Sequence, residues 1–440
     1  MNGTERNKML SRNILLSGVL KLISLCVSFL IVPVTLHYLD NEPYGIWMTI
    51  STMAFWIFTF DIGLGNGMRN YLTTAISKED YHTGSIYISS TFAMLTLIAL
   101  VMAIVLIPLV FLLDFNKILN TNSLSNLQLQ LVVLTTLLLT FIHFVVKNVG
   151  FIYVALQKFA INDLLTVCGN VIALAIIFFL TKITTGNLLY VVTAFLATPI
   201  IVFLTGAAHL YMAYPALRPS FKKIDIRFSK GIIQKGLGFF LIQITSCLVI
   251  FGGSNLFISH YAGPEQVTTY NIAYKNFNLL VIGYTIIIAP MWNAYTDAYV
   301  KGEWTWIRGN FRKAILFWAA TAMAGLLMLL VCNYFYTFWV GASVVVPKTV
   351  SIAVLFYIIF FNLNNCVTYL LNGLNIIRIQ IITSVVTTIL YLGAVSVFGQ
   401  YWGIEGIVCC MAACYVLMSL IHLYQCQLII HQKAKGIWAK

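Results

Sequence analysis

NILLSGVLKLISLCVSFLIVPVTLHYL, residues 13–39, stays apolar for longer than the roughly 20 residues a bilayer crossing needs, yet carries Ser17, Lys21, Ser24 and Ser28 at steps of four, three and four. On an α-helix those side chains fall on one stripe. A lysine and hydroxyls turned to hydrocarbon would be costly, so the stripe faces protein neighbours or water. The segment reads as a membrane helix with one polar wall, the first side of a path through the bilayer.

The whole chain is built for the same solvent. Of its 440 residues, 60% are hydrophobic and 9% charged, with a mean hydropathy of +0.91. Soluble chains average roughly 25% charged residues, so a soluble domain is excluded. Spans of membrane-crossing length are expected at about 13–39, 43–64, 85–113, 127–155, 161–181, 187–213, 232–259, 267–291, 309–336, 348–372, 377–399 and 403–430, about twelve in all. Arg6, Lys8 and Arg12 resemble the start of a signal peptide, but the apolar run behind them is too long and lacks a small-residue cleavage site, so the first span is expected to be retained. The nine cysteines sit almost wholly inside apolar segments without a Cys-x-x-Cys pair and read as small core residues.

The net charge of +13 is scattered over short loops with no basic domain or stacking platform, which argues against nucleic acid. Its distribution speaks to topology instead. With the N-terminus cytoplasmic, the outer loops hold only Lys117, Lys182 and Lys348, while Lys21, Lys147, Lys235 and Lys275 lie within or at the ends of spans. The other nineteen of 26 basic residues fall inside, which places both termini in the cytoplasm. The remaining surplus suits anionic lipid and an anionic substrate.

The longest polar inner connection, Tyr214 to Lys230, falls at the midpoint and reads as a linker between a first half, 1–217, and a second, 218–440. His37-Tyr38-x-x-x-Glu42 recurs as His260-Tyr261-x-x-x-Glu265, and Met68-x-Asn70-Tyr71 is echoed by Met291-x-Asn293-x-Tyr295, at an offset near 223 residues. Six spans per half return each half to the same side, so the expected architecture is all-α, two pseudo-symmetric six-helix lobes around a central cavity.

The opening stripe has counterparts in Thr136, Thr140, His143 and Lys147, in Thr268, Asn271, Lys275 and Asn278, and in Asn365, Thr368, Asn372 and Asn375. Hydroxyls and amides so spaced serve a hydrated wall or equally the packing of neighbouring helices. Lysines are harder to explain by packing: each costs about 3 kcal/mol near mid-membrane, and Asp61 is the only clear carboxylate candidate to pair with them. Lys21, Lys275 and Lys147, with Ser24, Ser28, Asn271 and Asn278, are therefore the candidate binding residues. Lys147 has the alternative of snorkelling to the inner face. Asp61 could carry a proton, balance Lys21, or end its helix, since Gly63-Leu64-Gly65-Asn66-Gly67 follows it. His143, one turn before Lys147, is a possible titrating partner or a packing residue. No metal-ligand cluster, phosphate loop or large extramembrane domain is present, so neither a cofactor nor an enzyme is expected.

HYLDNEPYGIW (37–47), FDIGLGNGMRNYLTTA (60–75) and YLLNGLNIIRIQIITSVV (369–386) leading into YWGIEGIVCCMAAC (401–414) resemble the polysaccharide-transport branch of the multidrug/oligosaccharidyl-lipid/polysaccharide exporter superfamily, closest in kind to the Wzx O-antigen flippases. The resemblance implies an inner-membrane flippase that moves an undecaprenyl-pyrophosphate-linked oligosaccharide between leaflets by alternating access. It also implies surrounding membrane lipids, and a polysaccharide polymerase and chain-length regulator as partners. In the similar lipid II flippases, basic residues of the first, second and eighth helices line a cationic cavity; Lys21 and Lys275 match by helix, whereas Arg69 lies at the inner end of the second. An ion-coupled drug or cation exporter of the same superfamily is the alternative, disfavoured by the scarcity of carboxylates within spans. A lipid-linked-sugar polymerase or ligase is a further one, disfavoured by the short outer loops.

Overall fold

The computed structural model describes residues 3–225, 227–228, 231, 253–342 and 344–439, with side chains from Leu16 onward except at position 293. Its contacts divide the chain into two compact units, Met1–Phe240 and Leu241–Lys440. Most of the span expected at 232–259 lies outside the described residues.

The first unit runs α1 (Gly3–Leu39), α2 (Asn41–Trp56), a 3-10 turn (Ile57–Asp61), α3 (Leu64–Ser77), α4 (Tyr81–Leu112), α5 (Phe115–Leu119), α6 (Asn126–Val146), α7 (Val149–Ala155), α8 (Phe159–Ile183) and α9 (Leu188–Ala213). Their ends follow local chemistry. Ser125 and Gln128 close a reciprocal capping box at the start of α6, Asp80 accepts from Thr83 N ahead of α4, and Asn187 from Leu189 N ahead of α9. Helix α1 lies against α8, α4 and α9 flank α6, and α3 packs on α4 and α7.

The second unit, among the described residues, runs α10 (Ser254–Ala262), α11 (Pro264–Ile288), α12 (Met291–Val300), α13 (Trp304–Val340), α14 (Lys348–Gly373) and α15 (Arg378–Ile430). Helix α15 has 53 residues but bends at Gly403, where φ is 52° and ψ −131°. At about 1.5 Å per residue each limb is long enough for a crossing of about 30 Å, so α15 holds both of the last two expected spans. Helix α14 is the hub, touching α11, α12, α13 and α15.

Among the described residues, eight helices are long and apolar enough to cross a membrane, nine with the pair Asn41–Asp61 and Leu64–Ser77, which bends by 42°. Large apolar side chains such as Leu112 and Leu330, 79% and 71% exposed, cover their outer faces. That surface suits lipid rather than water. The all-α membrane fold is as the composition requires.

The linker expected after Tyr214 docks on its own unit. Ser85 Oγ donates to Arg218 O (2.8 Å), while Ser220 N and Asp225 N donate to Ser89 and Ser90 Oγ (2.9 and 2.7 Å). Phe228 stacks on Tyr87 at 4.3 Å between ring centres. The described residues between Arg218 and Phe228 are therefore laid along the first turns of α4.

Candidate functional site

Two helix interruptions meet inside the first unit. The first is the Asp61–Gly63 corner. Ile62 and Gly63 take left-handed backbone angles, φ 51° and 78°, so the 3-10 turn stops and α3 starts in a new direction, as the glycine-rich run suggests. Asp61 is buried, and its Oδ1 accepts from Gly65 N at 3.0 Å, which caps α3. The second lies between α6 and α7, where Lys147 ends one helix and Asn148 begins the next. Asn148 Nδ2 donates to Phe144 O at 2.8 Å, while its buried Oδ1 has no partner among the described residues.

Gly65 makes the meeting possible. A Cβ there would stand 2.5 Å from both Asn148 Oδ1 and the Phe151 ring, so only a glycine lets α3 lie this close to α7. Lys147 Nζ sits 4.2 Å from the centre of the Phe58 ring, close enough for a cation–π contact. It is the cation that faces Asp61. Among the described residues the direct ion pairs are Lys117–Asp114 and Lys301–Asp297, so Asp61 and Lys147 attract across a gap rather than in contact. The ring of His143 meets Phe58 edge-on at 5.3 Å and Phe203 at 6.0 Å.

The structure thus brings Asp61, His143 and Lys147 together, and corrects one pairing. Lys147, rather than Lys21, is the partner of Asp61. Lys147 does not reach out along its helix toward an aqueous face, because its ammonium is held over Phe58.

Lys21 is exposed on α1, with Ser17, Ser24 and Ser28 half-buried beside it. The face of α1 formed by Leu20, Val27 and Ile31 is buried. In the second unit Lys275 is half-buried on α11. Asn271, one turn before it, donates to Asn255 Oδ1 on α10 (3.0 Å) and to Val267 O (2.8 Å), so its amide braces two helices. Asn278 Oδ1 accepts from Tyr274 OH at 3.2 Å. Neither Lys21 nor Lys275 has a carboxylate within 4.0 Å among the described residues. There, too, no group of three His, Cys, Asp or Glu assembles as a metal site.

Sequence spacing missed a buried polar cluster of the second unit, Asn364, Thr383 and His422, which joins α14 to both limbs of α15. Helical spacing registers neighbours three or four residues apart, and these partners are 39 and 58 residues apart.

Residues 10–292 match the model of a family described as polysaccharide biosynthesis protein. A Yersinia pseudotuberculosis protein named for O-antigen export is 21% identical over 292 residues, 64% of each chain. One from Salmonella typhimurium, named as an O-antigen transporter, is 22% identical over 273 residues, 60% of each. The matched stretch therefore spans less than two thirds of these relatives' length. Among solved structures, an inward-facing multidrug resistance MATE family transporter of the MOP superfamily aligns with a TM-score of 0.75 and 15% identity, covering 94% of this chain and 95% of that one. The lipid II flippase MurJ in its inward closed conformation aligns with a TM-score of 0.69 and 13% identity, covering 94% and 87%. At such identities the likeness shows the fold, which is that of MOP superfamily transporters.

Proposed function

The chain belongs to the polysaccharide biosynthesis protein family, and on that premise we propose that it is a flippase of the bacterial inner membrane. Its cargo is an undecaprenyl-pyrophosphate-linked O-antigen or related oligosaccharide, carried from the cytoplasmic to the periplasmic leaflet by alternating access. Both termini are cytoplasmic, and the product passes to a polymerase and chain-length regulator. The relatives named for O-antigen support the substrate class.

The observation that carries the reading is the imbalance of charge within the spans. Among the described residues Lys21 and Lys275 have no carboxylate within 4.0 Å, while Asp61, buried within its span, faces a lysine of its own. A drug-cation exporter needs the opposite balance. A pyrophosphate cannot cross hydrocarbon bare, but an ammonium offers it charge-assisted hydrogen bonds in place of hydration. Ser24 and Ser28 beside Lys21, and Asn278 beside Lys275, add neutral donors and acceptors for sugar hydroxyls. Asn271, engaged with Asn255, holds α11 in place. A proton taken up by Asp61 would release Lys147 from its facing charge, which gives Asp61, His143 and Lys147 a coupling role.

The test is complementation of a strain deleted for the gene. Lys21→Ala and Lys275→Ala are each expected to cut surface polysaccharide at least several-fold with protein levels unchanged. Full polysaccharide from both variants at native expression would remove the cationic binding role.

A further inference from the structure

The second unit's helices carry acidic residues only near their ends or at the Gly403 bend, as Glu265, Asp297, Glu303 and Glu405. Inside, with no exposed surface, lies His422. Its Nδ1 is 3.0 Å from Asn364 Oδ1 on α14, and its Nε2 is 2.9 Å from Thr383 Oγ1 on the first limb of α15.

Facing an amide oxygen, Nδ1 carries a proton; Thr383 decides the state of Nε2. The Thr383 hydroxyl also lies 2.9 Å from Ile379 O and 3.1 Å from Gln380 O. When its single proton goes to either carbonyl, the oxygen offers a lone pair to an Nε2–H, and the ring is an imidazolium. When the proton turns to Nε2, the ring is neutral. One hydroxyl rotation serves both states with every heavy atom in place. A histidine kept for packing alone needs partners for one state; this one has them for two.

A second observation concerns the layer next to the imidazole. Gln380 Nε2 and Gln425 Oε1, a donor and an acceptor, are buried and, among the described residues, without partners. Thr383 meets His422 and Cys414 Sγ reaches Thr387 O, so the limbs of α15 run antiparallel, and Gln380 and Gln425 share the next layer toward the chain end. Gln425 Nε2 then donates to Trp438 O at 3.2 Å, in the turn Gly436–Ala439 among exposed residues. Polar side chains thus occupy the layer between the imidazole and the chain end.

No charged side chain among the described residues faces the ring. On the elements packed around it, Arg308, Arg312 and Lys313 on α13, Lys348 at the start of α14, Arg378 at the start of α15, Lys433 and Lys435 in the tail and His260 on α10 are exposed, while the half-buried Glu405 at the Gly403 bend bonds Thr349 and Lys275 is half-buried on α11. The buried titratable groups on α14 and α15 are phenols and thiols, Tyr357 and Cys366 on α14 and Tyr391, Cys410, Cys414, Tyr415 and Cys426 on α15. We propose that His422, held between Asn364 and Thr383, is a proton-binding site of the second unit, separate from Asp61 in the first.

The proposal can be read without any transport assay. Protein labelled with 15N-histidine, in lipid bilayers, is followed by solid-state NMR from about pH 8 to about pH 5. Of its seven histidines, the one whose signal vanishes in His422→Gln is assigned. The expected change is from one protonated and one bare ring nitrogen to two protonated ones as pH falls. Thr383→Val, which keeps the volume and loses the lone pair, should need about tenfold more acid for the same protonated fraction, while Thr383→Ser follows the wild type. Should His422→Gln fail to fold, the signal moved by valine but not by serine makes the assignment. A bare nitrogen persisting to about pH 5 in the folded wild type overturns the proposal, as does a Thr383→Val titration that overlays the wild type.

Discussion

Asp61 does two things that one substitution can separate, because its carboxylate both caps α3 through Gly65 N and faces Lys147. Asp61→Asn keeps an acceptor for Gly65 and loses the charge; Lys147→Met keeps the carboxylate and strands it in a buried place. Removing one partner of a buried pair in contact costs about 3–5 kcal/mol. Here the charges do not touch, so a loss of about 1–3 kcal/mol is expected for Lys147→Met, and less for the double variant Lys147→Met with Asp61→Asn. Thermal unfolding in detergent checks the order, and a double variant no better than Lys147→Met would show that the two charges are uncoupled. In function, Asp61→Asn is expected to flatten the pH dependence of transport, and an unchanged dependence takes Asp61 out of the coupling role. The sequence alone singled out Asp61, His143 and Lys147, since ionisable residues are rare in apolar runs. It could not pair them, because what brings Lys147 to Asp61 is the packing of one helix interruption on another.

The interruptions themselves differ in how openly the sequence announces them. FDIGLGNG carries its own signal: glycines permit the left-handed turn at Gly63 and the close approach at Gly65. The break at Lys147–Asn148 has no glycine or proline before it, and the chain reads there as one continuous span. Only Asn148, turning its amide back onto Phe144 O, competes with the regular helix bonds. Likewise the two expected spans on either side of Gly403 already imply the bend in α15, but no local spacing says that His422 pairs with Thr383 and Asn364. Elements held by close approach are sensitive to a single methyl group. Gly65→Ala puts a carbon 2.5 Å from Asn148 Oδ1 and the Phe151 ring, and is expected to cost about 1–3 kcal/mol by overpacking. Gly283→Ala in α11, where an added Cβ would meet no packing neighbour within 4 Å among the described residues, is the control and should be neutral or stabilising. Melting of the two variants side by side tests it; equal stability would mean that α3 and α7 are not in contact.

Over the whole molecule, the repeat seen in side chains is repeated in the backbone path of each unit. Asp40, between α1 and α2, has φ 65° and ψ 177°, and Gly263, between α10 and α11, has φ 90° and ψ 160°, at the offset of 223 residues that relates the His-Tyr motifs. The same offset takes Glu79, φ 58°, to Gly302, φ 72°, each in the turn before the next long helix. Both halves therefore make the same unusual turns, and in each pair only the second half supplies a glycine. This symmetry turns one unit into a reference for the other. The Asp40 conformation belongs to a region that is essentially glycine's alone and costs other residues of order 1–3 kcal/mol. Asp40→Gly should relieve part of that strain, outweighing the freedom glycine adds to the unfolded chain, and raise the melting temperature, whereas Gly263→Asp should lower it by installing the strain in the second unit. If Asp40→Gly melts below the wild type while Gly263→Asp is neutral, the turns are not equivalent, and the two halves are related by sequence echoes without a common backbone path.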